Sequence, residues 1–462
     1  MEESKKQACS LSSFLISLLI IIPLVYCAFF QLDQWKANLA NWNSNLGFEN
    51  KLDEGAPEQE PLKFLLRRLL RGEQRIQFED TGFAYPSELH SDIYVSSKQV
   101  RFDTNSSKIY IHANQAAAIH IVRPYALKGD EAPIQLISPV EIQHGNTTPP
   151  ACNHYHDAPA MVFSSGGFVG NIFHEFNDVL VPLFITSRHF RSHVIFMVTG
   201  FQHWFFNKYK KIFSQLSRYE AINAAETANG TVHCFPGAVI GLKYHDNLYL
   251  NRSDVPGGYS MFEFRDFLVK SFDFNIKKVS QLIEEEKPKL LLLSRAKTRK
   301  ILNQVEVVKL MEELGFRVVP ATLDMMMNFE EFAHIVNNCS VIVGVHGAGL
   351  TNELFLPNGA VVIQVVPLGL DWPGNACFGG PAVDMGLQYL EYKIEPQESS
   401  LYDLYAPDHP VTADPESMKA QGYQAFGAIY IDKQDVKINV ERFRKTLVET
   451  MRLLGRPTNP LP

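Results

Sequence analysis

The clearest pattern of apolar and polar positions lies between residues 341 and 359, in the run VIVGVHGAGLTNELFLPNG. Val341–Val345 is a β-branched apolar run, which is typical of a strand buried on both faces of a parallel sheet. The glycines that follow allow a sharp turn, after which the pattern predicts a helix over 350–356 and a strand over 361–366. This order predicts an anion site where the helix begins, because the first backbone N–H groups of a helix are free.

The spacing of the glycines in this turn limits which ligand it could bind. Gly344, Gly347 and Gly349 are spaced GxxGxG instead of GxGxxG, and the next strand ends without the acidic residue that binds a ribose. Both features argue against a dinucleotide site. His346 lies among the free N–H groups and could donate to a phosphate oxygen, with a structural turn histidine as the alternative.

The C-terminal half, 275–424, has a regular rhythm of strands and helices that favours a parallel sheet. The pattern predicts strands over 289–293 and 317–320 and helices over 306–314 and 329–336. The first strand runs into SRAKTRKILN, which places Arg295 and Arg299 at the C-terminal edge of the sheet. Ligands bind at this edge in doubly wound folds, and arginine can grip a diphosphate bidentately, with a solvated basic loop as the alternative. A long amphipathic helix over 436–454 is expected to cross back over the first domain.

Residues 87–274 are predicted to form an α/β domain with a mostly parallel sheet. Strands are predicted at IYIHA, APIQLISPVEIQ, AMVF, HVIFMV and GAVIGLKY, and helices over 172–190 and at WFFNKYKKIFSQL. His174 and Asp178 are four residues apart and share one face of the first helix. An imidazole and a carboxylate so placed can act together as a general base, and an ordinary helix-start pair is the alternative.

The chain begins with a candidate membrane segment. Lys5 and Lys6 lie in a short N-terminal tail, 1–10, and Leu11–Phe30 is apolar and long enough to cross a bilayer. The positive-inside rule then predicts a single-pass type II protein with a signal anchor over 11–30, a cytosolic tail and a luminal remainder. A cleaved signal peptide is the alternative. The polar segment 31–86 is expected to be a stem.

Length and composition limit the number of domains and the class of partner. With 462 residues, 46% hydrophobic, the chain is expected to hold two or three domains, and a net charge of -7 gives no reason to expect nucleic acid as a partner. Four cysteines, Cys152, Cys234, Cys339 and Cys377, would be luminal, and Cys152 with Cys234 is the preferred of the possible pairings because both lie in the first luminal domain. Five N-x-Ser/Thr sequons predict N-glycosylation at Asn105, Asn146, Asn229, Asn251 and Asn338.

Six blocks of the chain resemble glycosyltransferase family 61, in particular its plant Golgi branch that decorates xylan. The blocks are GGFVGNIFHEFNDVLVPLFITSRHF, VHCFPGAVIGLKYH, LLLSRAKTRKILN, GVHGAGLTNELFLPNGAVVIQVVP, DMGLQYLEYKI and DVKINVERFR. The resemblance implies an α/β enzyme of the GT-B-like class, with two Rossmann-like domains and a cleft between them. The acceptor domain would span 87–274, the nucleotide-sugar domain 275–424 and a C-terminal segment 425–462.

The resemblance also implies an activity. The enzyme would act at the Golgi membrane and transfer a pentose, arabinofuranose or xylose, from a UDP-sugar to xylan with inversion. An N-glycan core beta-1,2-xylosyltransferase is one alternative, and a non-catalytic glycan-binding protein of the same fold is another. A polysaccharide hydrolase would need two facing carboxylates and would not explain the arginines and the glycine turn.

Site residues follow by position. The resemblance assigns Asp178 as the catalytic base with His174 as its neighbour, and it leaves the segment from Trp372 to Gly380 unmatched. Trp372 is a candidate for stacking on a sugar ring, with a packed indole as the alternative. The donor diphosphate would be bound by Arg295, Arg299, Gly347, Ala348, Gly349, Leu350 and Thr351, with His346 and Asn303 beside them.

No metal or other cofactor is expected. The chain contains no Asp-x-Asp motif, and the cluster of Cys152, His154 and His156 is more typical of a disulfide and a surface loop than of a metal site. Arginines and helix N–H groups must then stabilise the leaving diphosphate. The sequence therefore predicts that activity survives EDTA.

Overall fold

The structure is a computed structural model that describes residues 60–85, 90–114, 116–225, 230–282 and 287–456. The predicted anchor over 11–30, most of the predicted stem and Asn229 lie outside these residues. Within the described ranges, no helix combines the length and the apolar character needed to cross a membrane.

Strands β1 to β17 are numbered in chain order through the described residues. They are β1 Phe83–Ala84, β2 Tyr94–Ser96, β3 Val100–Asp103, β4 Lys108–His112, β5 Ala118–Val122, β6 Val140–Gly145, β7 His154–Tyr155, β8 Ala160–Ser164, β9 Ile195–Thr199, β10 Ile222–Asn223, β11 Val232–Phe235, β12 Ala238–Ile240, β13 Lys289–Leu293, β14 Arg317–Ala321, β15 Val341–Val345, β16 Val361–Val366 and β17 Gln388–Lys393.

These strands form three sheets in an α/β fold. The first has the order β1-β2-β12-β8-β9-β10, in which β12, β8, β9 and β10 run parallel. The second has the order β5-β6-β4-β3-β11-β7 and is mixed. The third has the order β14-β13-β15-β16-β17 and is parallel throughout. The parallel sheet predicted for the C-terminal half is therefore confirmed.

Helices cover both faces of the third sheet, whereas the first sheet packs one face on the second sheet and the other on helices. The α-helices are Leu62–Arg67, Gly72–Thr81, Glu131–Ile134, Ile172–His174, Val181–Ser187, His203–Lys208, Lys210–Leu216, Met261–Ser271, Gln304–Glu313, Leu323–Met327, Phe329–Asn337, Asp371–Gly374, Gly380–Asp384, Leu401–Leu404, Pro410–Ala413, Pro415–Lys419, Tyr423–Tyr430 and Val440–Leu453. The π-helical segments are Glu175–Leu180 and Asn375–Gly379, and the 3-10 helices are Arg188–Phe190, Pro256–Gly258, Val279–Leu282, Ala348–Phe355 and Pro396–Glu398.

Several predicted elements differ from the structure. The helix predicted over 350–356 is a 3-10 helix, Ala348–Phe355, and at its start the Leu350 N–H donates to the carbonyl of Gly347, three residues earlier. Within APIQLISPVEIQ, Glu131–Ile134 is a helical turn and the strand β6 begins only at Val140. The reason is the Asp130 side chain, which accepts from the backbone N–H of Ala132 and caps the turn. The C-terminal helix begins at Val440, where the Asn439 side chain caps it.

This last helix packs against the C-terminal sheet instead of crossing back over the first domain. Its buried Phe443 and Leu447 belong to one hydrophobic cluster with Val343, Ile363 and other residues of the third sheet. The apolar stripe of an amphipathic helix is satisfied by whichever open face lies nearest along the chain. Here that face is one side of the third sheet, which this helix covers together with the helix Gln304–Glu313.

Part of the predicted stem is folded. In the described segment 60–85, Leu66 and Phe78 have no exposed surface and lie in the main hydrophobic core. On the outer face, Lys63 forms an ion pair of 3.0 Å with Glu79. The apolar residues recur at helical spacing, so these two helices bury one face, and residues 60–85 are not a polar spacer.

One aromatic cluster joins the N-terminal and C-terminal halves. The ring centroid of Phe176 lies 5.8 Å from that of Phe355 and 6.4 Å from that of Phe329. Phe272 lies 5.8 Å from Phe329 and 6.0 Å from Phe355. The helix that carries His174 is therefore packed directly on the helix that follows the glycine turn.

The cysteine and sequon predictions are partly tested. Cys152 and Cys234 form a disulfide, so the preferred pairing is confirmed. Asn105, Asn146 and Asn338 are exposed, and Asn251 is half-buried with its side-chain amide donating to Asp254. Glycosylation itself stays a prediction.

Candidate active site

Loops at the carboxyl ends of the parallel strands of two sheets face one cavity of about 820 Å³. Its N-terminal wall is lined by Asp130, Ala132, Phe168, Asn171, Phe173 and His174. Its C-terminal wall is lined by Arg295, Arg299, His346, Gly347, Ala348 and several residues between Leu370 and Ile431. Parallel strands bring their carboxyl ends to one edge, which is why residues far apart in sequence meet here.

Arg295 and Arg299 supply the positive charge of the C-terminal wall. The Nη1 of Arg299 donates to the carbonyl of His346 at 2.9 Å, and the Nε of Arg295 donates to the carbonyl of Thr298 at 2.8 Å. Burial lowers the pKa of Arg295, and burial together with the charge of Arg295 lowers the pKa of Arg299 to about 10. A pKa of about 10 leaves Arg299 cationic at neutral pH, and arginine as a rule keeps its charge in proteins. The two guanidinium groups lie side by side at Gly347.

Gly347 leaves space for the side chains of these two arginines. Gly347 has a φ of +146°, and a Cβ atom there would collide with the Nη1 of Arg295 and lie 3.2 Å from the Nη1 of Arg299. The absent side chain lets both guanidinium groups approach the backbone at the start of the helix Ala348–Phe355. The helix start and the two cations thus point to the same anion site.

The protonation of His346 is fixed by its neighbours. The Nε2 of Gln364 lies 2.8 Å from the Nδ1 of His346, and Gln364 in turn accepts a hydrogen bond from the hydroxyl of Tyr389. An amide nitrogen only donates, so Nδ1 of His346 accepts and the ring proton is on Nε2. Burial, with Arg299 and Arg295 nearby, lowers the pKa of His346 to about 3. His346 is a neutral donor beside the cations.

The loop that carries Arg299 is hydrogen-bonded to a segment near the C-terminus of the chain. Arg299 adopts a left-handed φ of +54°, and its backbone N–H donates to the carbonyl of Gln434 at 2.7 Å. Ile301 and Val436 then form an isolated β-bridge, in which the Val436 N–H donates to the carbonyl of Lys300 at 2.8 Å. A strained residue persists only where its surroundings fix it. Gln434 and the start of the DVKINVERFR block thus hold the loop that carries Arg299, a role that the sequence analysis did not assign.

His174 and Asp178 form a hydrogen-bonded pair on the N-terminal wall. The Nδ1 of His174 lies 2.8 Å from the Oδ2 of Asp178, although the helix continues as a π-helical segment after His174. The side chain of His174 is 25% exposed and lines the cavity, whereas that of Asp178 is 1% exposed and does not. The imidazole therefore stands between the carboxylate and the cavity, with its Nε2 left for a substrate.

Asp178 is fully engaged by neighbours that the sequence analysis missed. The hydroxyl of Tyr125 donates to its Oδ2 at 2.6 Å, and the Nδ2 of Asn177 donates to its Oδ1 at 2.8 Å. Burial, with Asp178 nearby, raises the pKa of Tyr125, so this hydroxyl keeps its proton. Gly167 leaves room for the Tyr125 ring, because a Cβ there would lie 3.0 Å from it. Tyr125 is 53 residues from Asp178, and no spacing rule signals such a contact.

Phe378 connects the two walls at the floor of the cavity. Its ring centroid lies 5.7 Å from that of Phe173 and 5.5 Å from that of His346, and only 2% of its surface is exposed. Phe173 is in turn 5.5 Å from the ring of His174. A group bound above Phe378 therefore lies between the imidazole of His174 and the anion site.

Other predicted site residues do not face the cavity. The side chain of Asn303 donates to the carbonyl of Ile438 at 2.8 Å and accepts from its N–H at 2.9 Å, which joins two backbone segments. Leu350 and Thr351 are fully buried, and Gly349 is not in the lining. Of the predicted donor residues, the structure thus brings together Arg295, Arg299, His346, Gly347 and Ala348.

Within the described ranges, no group of three or more His, Cys, Asp or Glu side chains is arranged to hold a metal ion. Cys152 is in the disulfide, and His156 has its Nε2 at 3.0 Å from the Nδ1 of His233. Metal-independent chemistry stays a prediction.

Comparisons with known proteins agree with this site. A family model described as Glycosyltransferase 61 matches residues 172–363, which include His174, Asp178, both arginines and the glycine turn. The chain is 38% identical to beta-1,2-xylosyltransferase XYXT1 of Oryza sativa subsp. japonica, over 72% of this chain and 72% of the relative. It is 33% identical to xylan glycosyltransferase MUCI21 of Arabidopsis thaliana, over 82% of this chain and 79% of the relative.

A third relative is matched over a smaller share of its length. Alpha-1,3-arabinosyltransferase XAT2 of Oryza sativa subsp. japonica is 37% identical over 80% of this chain. The chain spans 64% of that relative's own length, which is less than two thirds.

Proposed function

The chain belongs to the glycosyltransferase 61 family, and on that premise we propose that it transfers a pentose from a UDP-sugar to xylan with inversion. By their names, XAT2 is an arabinosyltransferase, XYXT1 is a xylosyltransferase and MUCI21 is a xylan glycosyltransferase, which supports arabinofuranose or xylose as the donor sugar and xylan as the acceptor. The observation that carries the proposal is the cavity in which His174, hydrogen-bonded to Asp178, shares the lining with Arg295 and Arg299, with Phe378 between the two walls.

The N-terminal wall supplies the base. An inverting transfer needs one group that takes the proton of the acceptor hydroxyl as its oxygen attacks the anomeric carbon. We assign this role to the Nε2 of His174, and we assign to Asp178 the orientation of the ring and the stabilisation of its positive charge. This reverses the roles expected from the resemblance, because the buried carboxylate of Asp178 already accepts from His174, Tyr125 and Asn177.

The C-terminal wall supplies the charge for the leaving group. As the bond between the anomeric carbon and the diphosphate oxygen breaks, negative charge grows on the diphosphate. Arg295 and Arg299 lie where this charge would form, and the neutral His346 offers its Nε2–H beside them. Three donors on one wall and the base on the other leave the anomeric carbon between them, above Phe378.

The same proposal includes a cellular setting and a fold type. The segment 11–30 would anchor the protein in the Golgi membrane as a single-pass type II protein, with the cavity in the lumen. The α/β architecture would be GT-B-like, with the first two sheets serving the acceptor and the third serving the donor. The donor role of the third sheet is supported by Arg295, Arg299 and Gly347, which follow the carboxyl ends of its parallel strands.

The test is transfer by the full chain from UDP-xylose or UDP-arabinofuranose to xylo-oligosaccharides, followed by mass spectrometry of the products and by determination of the anomeric configuration. A product with the added pentose inverted relative to its donor supports the proposal. Transfer to an N-glycan acceptor alone would replace xylan as the substrate. Binding of UDP without any product would indicate a glycan-binding protein of the same fold.

A parallel reaction with EDTA tests the absence of a metal from the mechanism. We expect the rate to stay at its value without chelator, because the arginines carry the charge that a metal would otherwise supply. Complete loss of activity in EDTA, restored by manganese, would contradict the assignment of the leaving-group site to Arg295 and Arg299.

A further inference from the structure

Trp372 is an apolar side chain of the cavity that remains open to solvent. It lines the cavity, yet 70% of its surface is exposed, whereas Phe378 on the same helical segment is 2% exposed. A buried tryptophan removes about 150–250 Å² of apolar surface from water, so an exposed one leaves most of that contribution unused in the folded chain. The indole is available to a ligand at the rim.

The position of the indole is set by folded structure on both sides. Trp372 belongs to the helix Asp371–Gly374, which continues without a break through Asn375–Gly379 and Gly380–Asp384. The side chain of Asp371 forms an ion pair with Lys393 on β17, and the preceding Leu370 is buried. The indole therefore projects from an anchored helix start, and little ordering is needed when a ligand binds it.

Trp372 is connected along its helix to the wall that carries His174. Its helical segment leads to Phe378, whose ring centroid lies 5.7 Å from that of Phe173. Phe173 is in turn 5.5 Å from the ring of His174.

We propose that Trp372 is the platform for the acceptor chain, with its indole face stacked on a sugar ring next to the ring that reacts at His174. The C–H face of a pyranose is apolar, and an aromatic face covers it while the indole N–H stays at the solvent side. A polysaccharide is longer than the cavity, so its remaining rings must leave across the rim where Trp372 lies. This inference rests on the proposed function, since it names the subsite for the proposed acceptor.

The experiment compares short and long acceptors with the full chain and its Trp372→Ala variant. Xylobiose fills little more than the reacting position, whereas xylohexaose also reaches the rim. We expect the KM for xylohexaose to rise by about tenfold or more in Trp372→Ala, because an aromatic contact on one ring is lost. The KM for xylobiose and the KM for the UDP-sugar should stay at their wild-type values.

Two variants serve as controls. Trp372→Phe keeps an aromatic face and should retain most of the preference for the longer acceptor. Trp204→Ala removes another exposed tryptophan, 45% exposed on the helix His203–Lys208 and absent from the cavity lining, and should leave every KM unchanged. Thermal unfolding gives the Tm of each variant. The Tm of Trp372→Ala should match that of the wild type, because the Trp372 side chain is mostly exposed.

A binding measurement supplies a second readout. Intrinsic fluorescence should change when xylohexaose is added to the wild type without donor, and this change should be lost in Trp372→Phe. If wild-type transfer to both acceptors is intact and Trp372→Ala changes neither the KM ratio nor the binding, the platform is wrong while the proposed function stands. If Trp372→Ala raises the KM for the UDP-sugar instead, the indole binds the donor. If the wild type neither binds nor extends any xylo-oligosaccharide, the proposed function and the platform both fail.

Discussion

The two walls of the cavity differ in how far their polar groups are already satisfied. On the N-terminal wall, His174, Tyr125 and Asn177 all donate to Asp178, and the carboxylate needs no further partner. On the C-terminal wall, Arg299 has a buried Nε without a hydrogen-bond partner among the described residues. Directly behind this wall, Thr351, Asn352 and Glu353 carry buried side-chain oxygens that are likewise without described partners.

This difference matches the two tasks proposed for the walls. A base must hold one geometry before the substrate arrives, so its network is complete in the free protein. A site for a diphosphate must instead keep its donors uncommitted, because an internal carboxylate would compete with the ligand. Buried groups without partners cost free energy, so the C-terminal wall is expected to gain stability when UDP binds, and the N-terminal wall is not.

The largest expected effect on activity comes from removing His174, the member of the Asp178 hydrogen-bond network that lines the cavity. His174→Ala removes the proposed base and should lower kcat by about 10²–10⁴-fold, the range found for positioned acid–base groups. The KM for the UDP-sugar should change little, because the C-terminal wall is intact. His203→Ala, an exposed histidine outside the cavity lining, is the matched control.

Asp178→Asn decides which of the pair takes the proton. If His174→Ala retains activity and Asp178→Asn abolishes it, the carboxylate is the base and the roles proposed above are wrong.

A smaller effect on activity is expected when a side chain is added at Gly347 in the C-terminal wall. In Gly347→Ala the new Cβ would displace the Nη1 of Arg295, and kcat/KM should fall by about 10²-fold, the cost of misplacing a catalytic group by about 1 Å. Gly349→Ala is the control, because its Cβ would meet only the Cδ1 of Leu293 at 3.6 Å, an ordinary contact. Equal activity of the two variants, measured with saturating acceptor, would show that the guanidinium positions are not critical.

The smallest effect concerns Glu353 behind the C-terminal wall. Burial raises the pKa of this fully buried carboxyl, so the native state holds a proton that the unfolded chain releases near the ordinary glutamate pKa. Between these two pKa values the native state binds more protons, and stability falls as the pH rises, by about 1.4 kcal/mol per pH unit from this group. Glu353→Gln lacks the ionisable group and should remove this slope.

Urea unfolding at about pH 5 and about pH 7 measures the slope for the wild type and the variant. Glu312→Gln, a change at an exposed carboxyl, should keep the wild-type slope. The same slope in the wild type and Glu353→Gln would mean that Glu353 is ionised in the native state.

The C-terminal wall could be predicted from the sequence better than the N-terminal wall. Arg295, Arg299 and His346 each follow a buried β-branched or leucine-rich strand, and parallel strands bring their carboxyl ends together. Strand pattern and a short loop are enough to place such residues. The partners of Asp178 come instead from separate elements, with Tyr125 in a loop after β5, and only the packed structure joins them.

Pattern alone also misassigned packing partners. The helix Val440–Leu453 was correctly predicted to be amphipathic, but its pattern does not say which sheet it covers. The helices at Leu62–Arg67 and Gly72–Thr81 were hidden in a segment whose charged residues suggested a spacer, although Leu66, Leu69 and Leu70 recur at helical spacing. The roles of Asp178 and His174 depend on burial, which spacing does not contain.

The aromatic cluster around Phe176, Phe329 and Phe355 has a consequence for how this protein can be taken apart. A fragment that begins near residue 275 would present the rings of Phe329 and Phe355 to water, and the complementary fragment would present Phe176. Each fragment would expose an apolar patch, so we expect it to aggregate when it is produced alone. Co-expression of the two fragments should give a soluble complex. The N-terminal and C-terminal halves are thus expected to fold only together, and we expect that neither half can be exchanged by itself.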